Sequence, residues 1–500
     1  MTQDKRIEND LNASIVIIGG GGSGLAAAVA AAEKGVRNII VLEKHGLGGN
    51  SAMAFNLFAA DSPEQKRRNI DCSRDACYKI AMNFAHWKIN PRIVRALIDK
   101  SGETIGWLEK KGVQFSCNPD LFQFPADALP SPHRVIGGGA TLIKALIQDC
   151  KTRGVQTLTQ TPAQKIIADS KGKITGVIAQ KKSGEEFTIR TNCVIVATGG
   201  FGGNREFLKK YCAYYYDGMI CDGIPHNGDG FRMATEIGAD TAGLGTLLSS
   251  GPCIPRTAVV AAGDIRIGLK GIGGDPEALW VNKKGERYTD EAIALYHYEV
   301  ANAMSQQPGM ISYSLYDGRM MQKMLDEGRN LGMGLPGEKP AAPVRKISLT
   351  ELAAVLQQKA GNKVWVKVAY SWNEIARWIG ADPARLKATI DEYNSACDNK
   401  HDPIFAKEPR YLVPLRTPPY FAIEGEITYV NTLGGIKINE RMEVLDKEGQ
   451  LIPGLYAAGV DTGGWESEIY CSRLSGHAYG FAINSGRIAG ESAANQILAT

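Results

Sequence analysis

Three sets of residues in this 500-residue chain have types and spacings that can do chemistry. The first is Gly19-x-Gly21-x-x-Gly24. Gly19 permits a tight strand-to-helix turn, Gly21 lets the backbone approach a pyrophosphate, and Gly24 lets the helix pack closely on its strand. The helix start then offers free N–H groups and a partial positive charge to phosphates. Glu43, 19 residues beyond Gly24, can accept hydrogen bonds from an adenosine ribose, and its charge disfavours a 2′-phosphate. The second set is three runs of small residues: Gly48-Gly49-Asn50-Ser51, Ala197-Thr198-Gly199-Gly200, and Gly454 to Gly459 with Gly486 and Gly490 after it. Backbone in such runs can follow a long cofactor closely. The third set is Tyr296-His297-Tyr298. A phenol or imidazole beside a redox cofactor can donate a proton or polarise a carbonyl. Two residues apart, Tyr296 and Tyr298 share a face if their segment is a strand.

The elements needed to position the first set are present. Residues 14–18 are an apolar, β-branched run that reads as a buried parallel strand. Residues 25–34 are Ala-rich and helix-favouring, Gly35 is placed to end that helix, and residues 38–42 form a second strand ending at Glu43. This is the β-α-β context that the glycine motif requires. Residues 165–168, 174–180 and 187–190 read as a three-stranded meander, and 193–197 as another buried strand. Residues 454–458 read as a strand, 459–464 as a turn and 476–497 as a long small-residue helix. Gly- and Pro-rich stretches at 251–274 and 332–343 read as loops of an inserted region. NAD and FAD share the first fingerprint; the further small-residue runs favour the longer-reaching FAD. The fold class is α/β.

Composition removes several classes. Lys and Arg exceed Asp and Glu by 57 − 53 = 4, with no dense basic run, which argues against a nucleic-acid surface. The ten cysteines form no CxxC, so zinc ribbons, attached haem and ferredoxin clusters have no support, and reduced thiols are expected. The first 13 residues lack the apolar core of a signal peptide, and no run of about 18 apolar residues suggests a membrane span. The expected location is the cytoplasm. Tyr211, Tyr214, Tyr215 and Tyr216 read as packing rather than chemistry.

Over residues 14–495 the chain resembles the flavoprotein-subunit family of fumarate reductase and succinate dehydrogenase, with its urocanate reductase and 3-ketosteroid dehydrogenase relatives. The most specific pieces are 19–24 with Glu43, 197–204, Gly228-Asp229-Gly230, 279–291 and 452–491. The resemblance implies a split Rossmann-type FAD-binding domain, residues 1–250 and 425–500, with an inserted α+β capping domain, residues 251–424. It implies a hairpin over 277–291 turning at Lys284-Gly285, cap helices at 352–356 and 382–394, and a return to the FAD domain at 432–435. The FAD contacts it implies are Gly19, Gly21, Gly22, Ser23, Gly24, Glu43, Lys44, Gly49, Asn50, Ser51, Ala163, Ala197, Thr198, Gly199, Gly200, Asp229, Gly459, Asp461, Ser475, Gly476 and Ala478. No metal site is expected.

Where the chain departs from the family, its function should depart too. The family's proton-donating Arg follows the equivalent of Glu291, and the chain reads Ala-Ile-Ala-Leu-Tyr-His-Tyr from 292 to 298. Tyr296 takes that place, with His297 and Tyr298 as neighbours. The family's His before Thr432 is replaced by Tyr429-Val430-Asn431, and no His lies in 249–252. Arg473 matches the Arg of the family's C-terminal clamp. The family's ribityl-contacting Glu after Gly459 is Val460, and Asp461 can substitute. Tyr470 and Tyr479 flank the expected substrate pocket, and Trp465-Glu466-Ser467-Glu468 either lines it or caps a turn. The reading is an ene-reductase for a small molecule other than a small dicarboxylate. Dehydrogenation in the reverse direction, on a ketosteroid-like or amino-acid substrate, and pure electron transfer are the alternatives. With no haem or Fe–S motif in the chain, electrons come from or go to a separate partner.

Overall fold

The structure is a computed structural model and describes residues 11–117, 128–254, 273–326, 348–357 and 363–499. Strands Ile15–Ile18 and Ile39–Leu42 are buried at every position, as β-branched runs inside a parallel sheet should be. They lie in a six-stranded sheet ordered Glu443–Leu445, Leu451–Ala457, Val194–Val196, Ile15–Ile18, Ile39–Leu42, Gln156–Leu158. Every pairing is parallel except that of Glu443–Leu445 at the edge. The sheet thus takes strands from both ends of the chain. The expected meander is an antiparallel sheet of Ala163–Ala168, Ile174–Gln180 and Glu186–Arg190, extended by Leu11–Asn12.

Of the eleven buried residues of the helix Gly22–Glu33 eight are alanine or glycine, and the reason lies across from it. The C-terminal helix His477–Leu498 runs against it so closely that a Cβ on Gly486 would collide with the Ser23 carbonyl, and one on Gly490 with the Ala27 carbonyl. Positions four apart on one helix meet positions four apart on the other, so the contact is a ridge of backbone seated in a groove without side chains. Gly35, with φ +102°, ends the first helix as its sequence position predicts.

A further sheet is built on the 13-residue strand Tyr420–Thr432, which pairs with Ile220–Cys221, Leu247–Cys253, Ile311–Tyr316 and Val366–Ala369, and Leu279–Val281 joins outside Ile311–Tyr316. The expected boundary between residues 424 and 425 falls inside this strand, which crosses it without a break. The expected hairpin is present: Val281 bridges Arg287 and Gly285 turns with φ +77°. A buried ion cluster secures it. Glu291 accepts from the Arg287 guanidinium at 2.8 and 2.9 Å and pairs with Lys407 at 3.0 Å, while Arg287 also meets Asp402 at 2.7 Å. Two cations and two carboxylates leave no net charge to desolvate, which makes such a cluster tolerable in a core. The expected helices are Leu349–Leu356 and Pro383–Asp398. The loop expected at 332–343 and most of that at 251–274 lie outside the described residues. Among the described residues no helix is long and apolar enough to cross a membrane.

Because a single methyl at the helix crossing meets backbone that cannot rotate away, Gly490→Ala should lower stability by about 1–3 kcal/mol. Gly274→Ala, whose Cβ meets nothing within 4 Å, serves as the control. Chemical denaturation midpoints of the two variants check this; equal midpoints would place no constraint at the crossing.

Candidate active site

The glycine loop is built as its sequence implies. A Cβ on Gly19 would strike the Ala197 carbonyl, and one on Gly24 would strike the Gly19 carbonyl, so both glycines are required by the fold itself. Gly21 differs: the nearest atom to a Cβ there is the Gly48 oxygen at 3.9 Å. Space is left at the one position where a pyrophosphate must approach. The second loop lies alongside, with Gly48 bridged to Gly21 and its N–H donated to the Gly20 carbonyl at 2.9 Å. Gly49, Asn50 and Ser51 then form a 3-10 turn. Glu43 accepts from the Gly20 N–H at 2.8 Å and the His45 N–H at 2.7 Å. Each of its oxygens keeps a further lone pair for a ribose. Lys44 pairs with Asp229 at 3.0 Å, so these two expected contacts occur together at the rim. Ala163 begins its strand two residues after Thr161, whose N–H bonds the Glu43 carbonyl at 2.9 Å.

The other small-residue runs converge on the same loop. Gly459, with φ +70°, lies directly on Ser23 and donates its N–H to Ser485 at 2.9 Å. Asp461 is fully buried, and its carboxylate receives the N–H groups of Thr198, Gly199 and Gly200 and the Thr198 hydroxyl. Burial pushes its carboxyl up, and these donors oppose the shift. The side chain offered as a ribityl contact therefore holds the 197–200 loop in place. The same loop is tied to strand Tyr420–Thr432: Tyr429 donates its hydroxyl to the Gly202 carbonyl at 2.7 Å, and Thr432 accepts from Phe201 N–H at 3.1 Å. Asn50 reaches across to Asn431 and accepts from the Ile224 N–H at 2.7 Å. Gly476, with φ +82°, caps the C-terminal helix, and the Ala478 N–H donates to the Tyr470 hydroxyl at 3.1 Å. On that helix Tyr479 is one turn before Ile483, which faces Gly22, and its buried hydroxyl has no partner among the described residues.

Of the proposed chemical residues, Tyr296 and Arg473 meet, just before the C-terminal helix. The Arg473 guanidinium sits 4.3 Å from the centroid of the Tyr296 ring and 5.0 Å from that of Phe84. It forms an ion pair with Glu299, and Ser472 donates its hydroxyl to the same carboxylate at 3.0 Å. Residues 291–296 are a 3-10 turn and His297–Ser305 is an α-helix, so the strand geometry under which Tyr296 and Tyr298 would share a face does not hold. The side chains of His297 and Tyr298 lie outside the described residues. Sequence reasoning missed Glu299, Phe84 and Ser472. Ser472 and Glu299 are 173 residues apart, and no spacing rule links them.

Other candidates prove structural. Trp465 stacks on Phe481 at 4.0 Å, Glu466 bonds His477 Nδ1 at 2.7 Å in the core, and Glu468 pairs with Lys88 at the surface. Tyr211 packs among Phe201, Phe207 and Phe231, and Tyr214 accepts from the Leu247 N–H.

A model of the FAD-binding-domain family matches residues 14–469. Vinyl phenol reductase of Lactiplantibacillus plantarum is 32% identical over 488 residues, spanning 96% of this chain and 96% of its own length. NADH:fumarate oxidoreductase of Klebsiella pneumoniae is 26% identical over 96% of this chain, which spans only 48% of that relative. The solved structure of 3-ketosteroid-Δ4-(5α)-dehydrogenase from Rhodococcus jostii RHA1 aligns with a TM-score of 0.75 and 23% identity, covering 98% of each chain, and shares the fold.

Gly21→Val separates ligand space from fold. Its side chain enters open space, so the apoprotein should keep its circular dichroism and denaturation midpoint while FAD retention is lost. A variant that retains stoichiometric FAD would show that the phosphates lie elsewhere.

Proposed function

This chain belongs to the FAD-binding-domain family, and from that premise we propose that it reduces the double bond of a conjugated alkene other than a small dicarboxylate, with Tyr296 as the proton donor. It is an FAD-dependent oxidoreductase acting on CH–CH or C=C bonds. The chain's own residues would hold the adenosine at Glu43, the pyrophosphate at Gly21 to Ser23, and the remainder along 49–51, 197–200, Gly459 and the start of the C-terminal helix. When bound, FAD supplies hydride transfer to an activated carbon.

The single observation that carries the substrate reading is the composition around Arg473. Two aromatic rings and a countercharge surround it. Binding two carboxylates in an enclosed site needs paired cationic groups, since an uncompensated buried charge costs several kcal/mol. Arg473 already has a carboxylate in Glu299, and the positions of the family's histidines carry Tyr429, Val430 and Asn431. An alkene with a flat, conjugated flank packs against Tyr296 and Phe84 without that penalty. A relative named for reducing a vinyl phenol fits this environment better than relatives named for fumarate.

Reduction leaves negative charge on carbon that a proton must quench. Tyr296 caps the N-terminus of the helix His297–Ser305 beside Arg473, whose guanidinium lies against its ring. The hydroxyl so held delivers its proton to the substrate carbon and is reprotonated from water. In this reading residues 251–424 form a cap over a split FAD-binding domain of residues 1–250 and 425–500. A separate carrier in the cytoplasm delivers the electrons, since the chain has no haem or Fe–S motif.

Removal of a general acid typically slows a reaction about 10²–10⁴-fold. Tyr296→Phe should therefore reduce alkene turnover at least ~10²-fold with FAD content unchanged. Stopped-flow oxidation of the pre-reduced protein by alkene checks this, and near-wild-type rates would move the donor elsewhere. In the same assay fumarate should turn over far below the roughly 10 per second of an ordinary enzyme.

A further inference from the structure

We infer that Glu299 is the specificity-determining residue of this site: by neutralising Arg473 it excludes carboxylate substrates and selects uncharged alkenes that bear a hydroxyl. This deepens the reading above and rests on it. Tyr296 is the N-cap of the helix His297–Ser305, and Glu299 lies in its first turn. Tyr296 stacks on Arg473 and Glu299 ion-pairs with it, so one guanidinium organises both. Ser472 closes the arrangement, donating to the Glu299 oxygens at 3.0 and 3.1 Å while accepting from Arg473 Nη1 at 3.2 Å.

The pair is partly shielded, with the Arg473 side chain 22% exposed and that of Glu299 20% exposed. Charge is therefore screened less than at an open surface. An incoming carboxylate that reached for Arg473 would have to lie beside the Glu299 carboxylate, and like charges so placed are penalised. An uncharged alkene meets no such cost. A carboxylate has about four acceptor sites, and among the described residues Arg473 and Ser472 occupy part of them. A substrate hydroxyl can donate to what remains. The predicted substrate is thus an uncharged conjugated alkene whose ring lies against Tyr296 and Phe84 and whose O–H points to Glu299. Ring contact and hydroxyl recognition come from residues on different elements, so each can be removed without the other.

Glu299→Gln removes the charge and keeps the shape. The probes are cinnamate and its methyl ester, titrated into oxidised holoprotein at pH 7 and followed by the change in flavin absorbance. The wild type should bind the ester about tenfold or more tighter than the anion, the size of one charge-assisted interaction. In Glu299→Gln the ratio should move about tenfold or more toward the anion. Adding Arg473→Gln should abolish that gain, because the unmasked guanidinium is what holds the anion. A merely structural Glu299 would weaken both ligands equally and leave the ratio unchanged, which overturns the inference. If Glu299→Gln fails to retain FAD, the wild-type comparison decides, and anion bound as tightly as ester overturns it. Failure of the reaction itself is separate: a shifted binding ratio with no alkene reduced would sink the proposed reaction and leave the charge assignment standing.

Discussion

The backbone-to-backbone contact between helices Gly22–Glu33 and His477–Leu498 is the constraint on which the site depends. Gly486 and Gly490 remove the side chains that would hold the helices apart, and the two ends of the chain meet there. Close packing at that point brings Gly459 onto Ser23 and Asp461 to the 197–200 loop. Three segments far apart in the sequence thereby share one corner of the fold. The start of the C-terminal helix is fixed by the same contact, and Arg473 precedes it by a few residues. A long helix packed through glycines is rigid and has little lateral freedom, which suits a group that must be held within a fraction of an ångström.

The glycines show two different requirements that a motif alone merges. Gly19 and Gly24 are glycine because backbone from elsewhere in the fold occupies the place of a side chain. Gly21 is glycine although the fold leaves it room. A residue kept small where the protein has no steric need of it points to something outside the protein. The chain's membership of an FAD-binding family is consistent with that.

The β-α-β unit, the meander and the C-terminal helix were legible in the sequence because each depends on local periodicity or on a turn residue, and the hairpin at 277–291 was legible through the family resemblance. Asp461 was legible as important and its role was not, because its partners are backbone N–H groups more than 260 residues away. Arg473 and Tyr296 were visible as candidates through a family resemblance, and the structure brings them together. Glu299 carried no signal: a glutamate in a helix is ordinary until its partner is known. The face-sharing of Tyr296 and Tyr298 failed because a short aromatic run does not fix whether its period is that of a strand or a helix. Charge compensation at the site is set by tertiary pairing, and pairing across 173 residues is what a single sequence reveals least.

Two charged groups and two rings around one point make the proposed claim an enzymatic one: an uncharged conjugated alkene is reduced, with its proton taken from a protein acid in exchange with water. The most direct measurement mixes anaerobically reduced holoprotein with 4-hydroxystyrene in D₂O and analyses the product by mass spectrometry and NMR. The account predicts one ethylphenol per FAD oxidised, carrying a solvent deuteron at the former alkene carbon that is protonated, and deuterium at the other to the extent that the reduced flavin's own N–H has exchanged with solvent. Full retention of the reduced flavin spectrum with this alkene and with every uncharged conjugated alkene tried, while fumarate oxidises it rapidly, would contradict it.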